Sequence, residues 1–161
     1  MADYQKFTHG FGPFLPKSPK YIFLGTFPSV KSREQAFFYG HPQNKFWRLL
    51  ADVFEDVVPK RLDEKKAFLS RHNIAVYDVI YSCEIVGSSD QSIRNVVPTD
   101  IGSLVRAYKI KKIFLNGRKA QQIFEQYHSD LDGQYLPSSS PANAAMSYEQ
   151  KLEFWREAIL D

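Results

Sequence analysis

Four short apolar runs, each separated from the next by sequence of helical period, constrain this chain more than any other feature. Tyr21-Ile22-Phe23-Leu24 is the first, Ile74-Ala75-Val76-Tyr77-Asp78-Val79-Ile80 the second and Lys112-Ile113-Phe114-Leu115 the third; a shorter run over 133–136 is the fourth. Runs this brief and this continuous read as strands buried on both faces, the habit of parallel sheets. Between them, Phe46, Leu49, Leu50, Val53 and Phe54 recur at the spacing of one helical face, until Pro59 breaks the pattern. A second helix over about 61–71 carries Asp63, Glu64, Lys65 and Lys66 outward. Pro98-Thr99-Asp100 opens another, with Thr99 or Asp100 as its cap. Residues 118–127 and 148–160 supply the last two. Strands alternating with helices predict an α/β fold: a three-layer αβα sandwich around a central, mainly parallel four-stranded sheet.

With 161 residues and no internal repeat or linker, a single domain over 1–161 is expected. Residues 1–19 form an arm that Phe7, Phe11 and Phe14 pin to the body. Cys83 is the only cysteine, so an internal disulfide and a four-cysteine metal or iron–sulfur site are both excluded. There is no leading apolar run of the secretory kind and no stretch of about 18 apolar residues, so a cytoplasmic protein is expected. The net charge of +3 permits contact with a polyanion without demanding it. Aromatic residues make up 15%, enough to fill a core and also to stack on bases.

Parallel sheets bind ligands at the carboxyl ends of their strands. The unusual loops, 25–44, 81–97 and 137–144, all follow strand ends and can meet at one edge of the sheet. Residues 84–97 read as one long polar loop. The most distinctive stretch is Phe37-Phe38-Tyr39-Gly40-His41-Pro42-Gln43-Asn44-Lys45-Phe46-Trp47, where rings precede an amide at a helix start. A flat face beside polar groups suits a flat heterocycle. Asn44 has two readings: a helix N-cap, or an amide that positions a reactant with one acceptor and two donors. His41 reads either as a general acid or a base contact or, with Pro42, as a loop brace held by one imidazole hydrogen bond. Phe37 and Phe38 read as core. Asp90 either orients water or pairs with Arg94. Lys31, Arg33, Lys45, Arg94, Arg118 and Lys119 lie near these loops, where phosphates would meet them.

Three segments in order carry a resemblance: Gly25-Thr26-Phe27-Pro28-Ser29, His41-Pro42-Gln43-Asn44-Lys45-Phe46-Trp47 and Leu136-Pro137-Ser138-Ser139-Ser140-Pro141-Ala142-Asn143-Ala144. Together they resemble the uracil-DNA glycosylase superfamily, most closely its hypoxanthine-DNA glycosylase (DNA-deoxyinosine glycosylase) branch, over about residues 20–160. The resemblance implies a monofunctional DNA glycosylase that flips a deaminated base, hypoxanthine first and uracil second, and hydrolyses its bond to deoxyribose. The product would be an abasic site. No cofactor or metal is implied, the partner would be DNA containing deaminated bases, and the protein would act as a monomer.

The same resemblance distributes roles. Asn44 would hold the attacking water by positioning and electrostatics. Gly25, Thr26 and Phe27 would wall the base pocket, and Tyr39 would stack on the extruded base. Asp78 would accept the N1–H of hypoxanthine, which adenine lacks; otherwise it is a buried carboxylate satisfied by backbone N–H groups or Arg. Ser138, Ser139 and Ser140 would contact flanking phosphates, and Pro141, Ala142 and Asn143 would wedge into the vacated space. One departure stands out. Mismatch-specific relatives carry a catalytic Asn at the position of Thr26, and the main uracil-specific enzymes carry Asp in that turn. Either Asn44 does this chemistry, or the chain is a non-catalytic nucleic-acid or nucleotide-binding module on the same scaffold. A third reading is an enzyme on free nucleosides or nucleotides.

Overall fold

The computed structural model describes residues 3–141 and 145–161. Its centre is β2 (Tyr21–Gly25), buried at every residue. β3 (Ile74–Asp78) pairs with it on one side and β6 (Lys112–Asn116) on the other, both parallel, and β7 (Gly133–Leu136) completes the order β3-β2-β6-β7. The expected four-stranded parallel sheet is therefore present.

Side-chain alternation along β2 divides the core. Tyr21 and Phe23 enter one cluster with Phe46, Leu49, Leu50, Phe68 and Trp155, contributed by α2 (Phe46–Phe54), α3 (Leu62–Arg71) and α6 (Tyr148–Leu160). Ile22 and Leu24 enter the other with Ile101, Ile123 and Phe124, contributed by α4 (Ile101–Tyr108) and α5 (Arg118–Tyr127). A strand whose successive side chains point to opposite faces needs a helical layer on each side, and the sequence supplies both.

The structure corrects the reading of the remaining segments. Residues 84–97 are not one loop. β4 (Ile80–Ile85) and β5 (Arg94–Pro98) form a hairpin around a single 3-10 turn at Asp90–Ser92. The apolar run 74–80 is thereby split: β3 ends at Asp78 and the chain enters a second sheet at Ile80. The N-terminal arm supplies β1 (Gln5–Thr8), antiparallel to β4, so the second sheet has the order β1-β4-β5. This sheet hides from pattern reading because the β4–β5 register shifts twice, which disrupts the period-2 alternation. A short α1 (Val30–Gln35) occupies part of the expected loop 30–43. The helix expected from Asn44 begins at Phe46.

The arm also seals an edge. Phe14 exchanges both backbone hydrogen bonds with Val76 of β3, at 2.9 and 3.1 Å, covering groups that an edge strand otherwise leaves unpaired. Phe7 packs on the second core cluster, and Phe11 and Phe14 on the first, as expected of pins.

Helix α6 is coupled to the loop after β7. Trp155 stacks on Phe23 and donates its buried Nε1–H to the carbonyl of Pro137 at 2.9 Å. A Trp155→Phe substitution keeps the ring packing and strands that carbonyl. We expect a stability loss of about 1–3 kcal/mol, measured by urea denaturation.

Candidate active site

At the carboxyl end of the parallel sheet lies a cavity of about 810 Å³. Gly25, Thr26 and Phe27 come to it from the end of β2, Tyr39, His41 and Asn44 from the stretch before α2, and Asp78 from the end of β3. Asp90 reaches it from the hairpin, Asn116 and Gly117 from the end of β6, Arg118 and Lys119 from the start of α5, and Ser138–Pro141 from the loop after β7. The expectation that the three strand-end loops meet at one edge is met. Asn143 and Ala142 of the expected wedge lie outside the described residues; Pro141 is exposed at the rim.

The close approach depends on Gly25. It pairs in register with Asp78, and a Cβ built on it would lie 2.6 Å from Asp78 Oδ1 and 2.9 Å from the Tyr39 hydroxyl. Only glycine lets the strand end, the carboxylate and the phenol share this space.

Asp78 is buried, and its Oδ2 lies 2.8 Å from His9 Nε2, an equally buried ring delivered by the arm. The sequence reading had offered backbone N–H groups or Arg as partners for this carboxylate; a histidine takes that place. Thr99 Oγ1 donates to the Asp78 carbonyl at 2.7 Å, so the helix cap falls to Asp100, whose side chain accepts from Ser103 N–H.

Tyr39 sits at φ 52°, a left-handed conformation that costs a non-glycine residue about 1–3 kcal/mol. Two contacts hold it there. Its ring stacks on Phe46 at 3.9 Å and 18°, and its carbonyl accepts from Trp47 Nε1 at 3.2 Å. One ring face is thus covered by Phe46, leaving at most one for a ligand. The hydroxyl is buried without a well-aligned hydrogen bond among the described residues. Burial and the nearby Asp78 charge push its pKa far up, with Asn116 opposing them, so it is a donor at every physiological pH.

Asn44 is not the N-cap of α2, which is Lys45. Its Oδ1 accepts the Phe46 N–H two residues on, at 3.0 Å, a turn that leads the chain into α2. The residue is half-buried and lines the cavity, and among the described residues its amide N–H groups and a second lone pair remain. His41 behaves as the expected brace: its Nδ1 accepts the Gln43 N–H at 3.1 Å. Phe37 and Phe38 are core, as read.

The serine loop divides. Ser139 is 1% exposed; its Oγ accepts from Asn116 Nδ2 at 2.9 Å, its N–H donates to Asn116 Oδ1 at 3.0 Å, and its carbonyl accepts the Lys45 N–H at 3.0 Å. Ser139 therefore braces the loop and is withdrawn from the expected phosphate contacts, whereas Ser138 and Ser140 are half-buried at the cavity. The basic residues also divide. Arg118 and Lys119 line the cavity at the positive end of the α5 dipole. Arg33 instead donates to the Gly87 carbonyl at 2.7 Å and lies over the Phe7 ring, while Arg94 pairs with Glu84 at 2.8 Å and lies over Tyr4.

Asp90 does not meet Arg94. Its Oδ2 accepts from Thr26 Oγ1 at 2.8 Å. Burial of the carboxyl raises its pKa above the ordinary carboxylate value; Thr26 and Lys119 pull it down and the Asp78 charge pushes it up.

Two contributors, His9 and Asn116, escape the sequence reading, and a third, Asp90, appears in it without its partner. His9 has no local signal, because its place is set by β1 pairing with β4. Asn116 was read only as a strand stop, although its place at the carboxyl end of a parallel strand was a usable signal.

Fold and cavity together define an α/β protein with a cavity at the carboxyl edge of a parallel sheet, where such folds bind ligands. The chain belongs to the uracil DNA glycosylase superfamily, whose family model matches residues 12–161. A Methanosarcina acetivorans protein named hypoxanthine DNA glycosylase is 32% identical over 152 residues, covering 90% of this chain and 94% of that protein. A Methanosarcina barkeri protein of the same name is 28% identical, covering 93% and 96%. A solution NMR structure of an M. acetivorans protein described as a candidate uracil DNA glycosylase superimposes with a TM-score of 0.76 at 28% identity, over 91% of this chain and 95% of that one. Among the described residues, no helix is long and apolar enough to cross a membrane.

Removing the partner of a buried charge leaves it uncompensated. His9→Ala is expected to destabilise the fold by about 3–5 kcal/mol, read from the shift in a chemical-denaturation midpoint.

Proposed function

We propose that this protein is a DNA glycosylase acting on deaminated bases, with hypoxanthine the preferred base and uracil the second candidate. The observation that carries the reading is the convergence of Gly25, Thr26, Tyr39, Asn44, Asp78 and Ser138 on one cavity, in a chain whose relatives bear the hypoxanthine glycosylase name. The base enters the cavity by extrusion from the duplex, which takes a few kcal/mol and least at a mismatched or damaged pair. The open face of Tyr39 stacks on it, a contact of roughly 1–3 kcal/mol. Asp78 accepts the N1–H that distinguishes hypoxanthine from adenine, and His9 keeps that carboxylate oriented. Ser138 and Ser140, with Arg118 and Lys119, meet the flanking phosphates. Asn44 positions water against C1′, and the bond to deoxyribose is hydrolysed to leave an abasic site.

The test is release of free base from labelled duplexes containing hypoxanthine, uracil, xanthine or mismatched thymine. Asn44→Ala is expected to lose roughly 10²–10³-fold in single-turnover rate, the scale of removing one preorganised polar group. Asn44→Ser keeps an oxygen for the Phe46 N–H and separates the two roles. A serine variant that folds normally but is as slow as alanine supports catalysis by the amide; a fully active one reduces Asn44 to a turn residue. Because the Asn44 Oδ1 is engaged by Phe46 N–H, the second reading is a non-catalytic module that binds lesion DNA tightly and releases no base. In either case affinity for DNA is expected to fall as salt rises, measured by fluorescence anisotropy.

A further inference from the structure

The glycosylase reading leaves one catalytic role unassigned. Hydrolysis at C1′ is speeded by a group that takes a proton from the attacking water and faces the positive charge that develops on the sugar. A neutral amide such as Asn44 orients water but is too weak a base to accept that proton. Two carboxylates line the cavity, Asp78 and Asp90. Asp78 is 4% exposed and committed to His9. Asp90 lies on an exposed hairpin tip and lines the cavity, and its Oδ1 takes part in no hydrogen bond among the described residues.

The position of Asp90 is constructed rather than incidental. The hairpin tip that carries it is tied to the β2–α1 segment at three points: Thr26 Oγ1 to Asp90 Oδ2 at 2.8 Å, Val30 N–H to Ser88 Oγ at 2.9 Å, and Arg33 Nη2 to the Gly87 carbonyl at 2.7 Å. The Arg33 guanidinium is itself packed over the rings of Phe7 and Phe27. Inside the tip, Ser92 Oγ bridges Val86 N–H and the Ser89 carbonyl. Thr26, at the mouth of the central strand, is buried and brings no charge of its own; the negative charge at this spot belongs to the aspartate it holds.

We propose that Asp90 is the catalytic carboxylate of this cavity and that Thr26 is the positioning residue that aims it. This rests on the glycosylase reading and deepens it. The C1′–N bond breaks with its electron pair leaving on the base. The water oxygen bonds to C1′ as its proton passes to Asp90 Oδ1. The departing base takes a proton from solvent, and Asp90 later returns its own. The charged and titratable groups that face Asp90 are Asp78 at the end of β3, Lys119 on α5, the buried Cys83 of β4 and the Tyr39 hydroxyl. Its upward-shifted pKa makes it a better proton acceptor than an open carboxylate.

The experiment is single-turnover release of hypoxanthine from a deoxyinosine duplex across pH, for wild type, Asp90→Asn, Thr26→Val and Thr26→Ser. Wild-type rate is expected to fall as pH drops through the Asp90 pKa, because the protonated acid is no base. Asp90→Asn is expected to lose about 10²–10³-fold while still binding the lesion duplex, and to lack that acid limb. Thr26→Val removes the bond that lowers the Asp90 pKa, so the acid limb moves to higher pH; Thr26→Ser restores it. Formate, a free carboxylate, is expected to recover part of the rate in Asp90→Ala, which a purely structural role does not allow. Wild-type rate in Asp90→Asn, or an acid limb that neither the Asp90 nor the Thr26 substitutions move, overturns the assignment. If wild type releases base and these variants match it, only Asp90's role falls. If wild type releases no base from any duplex, the glycosylase reading falls and this one with it.

Discussion

The missing side chain of Gly25 is the constraint on which the rest of the site depends. β2 and β3 run parallel in a register that sets Gly25 beside Asp78, and Tyr39 folds down over the same point. Any Cβ there would meet a carboxylate oxygen and a phenol oxygen closer than atoms tolerate. Because it is absent, a carboxylate, an aromatic hydroxyl and a strand-end backbone approach one another at the floor of a cavity. The left-handed backbone of Tyr39 belongs to the same arrangement: Phe46 and Trp47 stabilise a conformation the residue would not adopt alone.

Around that floor the second sheet acts as a delivery device. β1 carries His9 to Asp78, and the β4–β5 hairpin carries Asp90 to Thr26. Both contacts join groups more than 60 residues apart in sequence, at separations of 69 and 64. The first buries a carboxylate, where hydrogen bonds to it are stronger and an unpaired charge would be severely destabilising, while the second keeps Asp90 on an exposed hairpin tip. On the opposite wall, Asn116 and Ser139 exchange two hydrogen bonds, and Trp155 holds Pro137 from behind. The serine loop is therefore fixed from the core, and its half-buried members face the cavity.

Much of this was legible along the chain. The parallel sheet follows from four apolar runs alternating with helical periodicity, and the core faces of α2 and α5 follow from their spacing. The convergence of the first turn, the aromatic–amide stretch and the serine loop follows from a rule about parallel sheets: their strand ends share an edge. The hairpin was not legible. Its register shifts disturb the alternation, and its residues are polar enough to pass for a loop. Ser139 was misread for a related reason: in sequence it is one of three identical serines, and only burial distinguishes the brace from its neighbours.

The sequence by itself determined the layers, the strand order's parallel sense and the kinds of side chain available at one edge, because period and apolarity are local properties of the chain. Tertiary structure alone decided which polar groups pair. His9 meets Asp78 and Asp90 meets Thr26 because an arm and a hairpin fold onto distant strand ends, and no local pattern encodes that meeting.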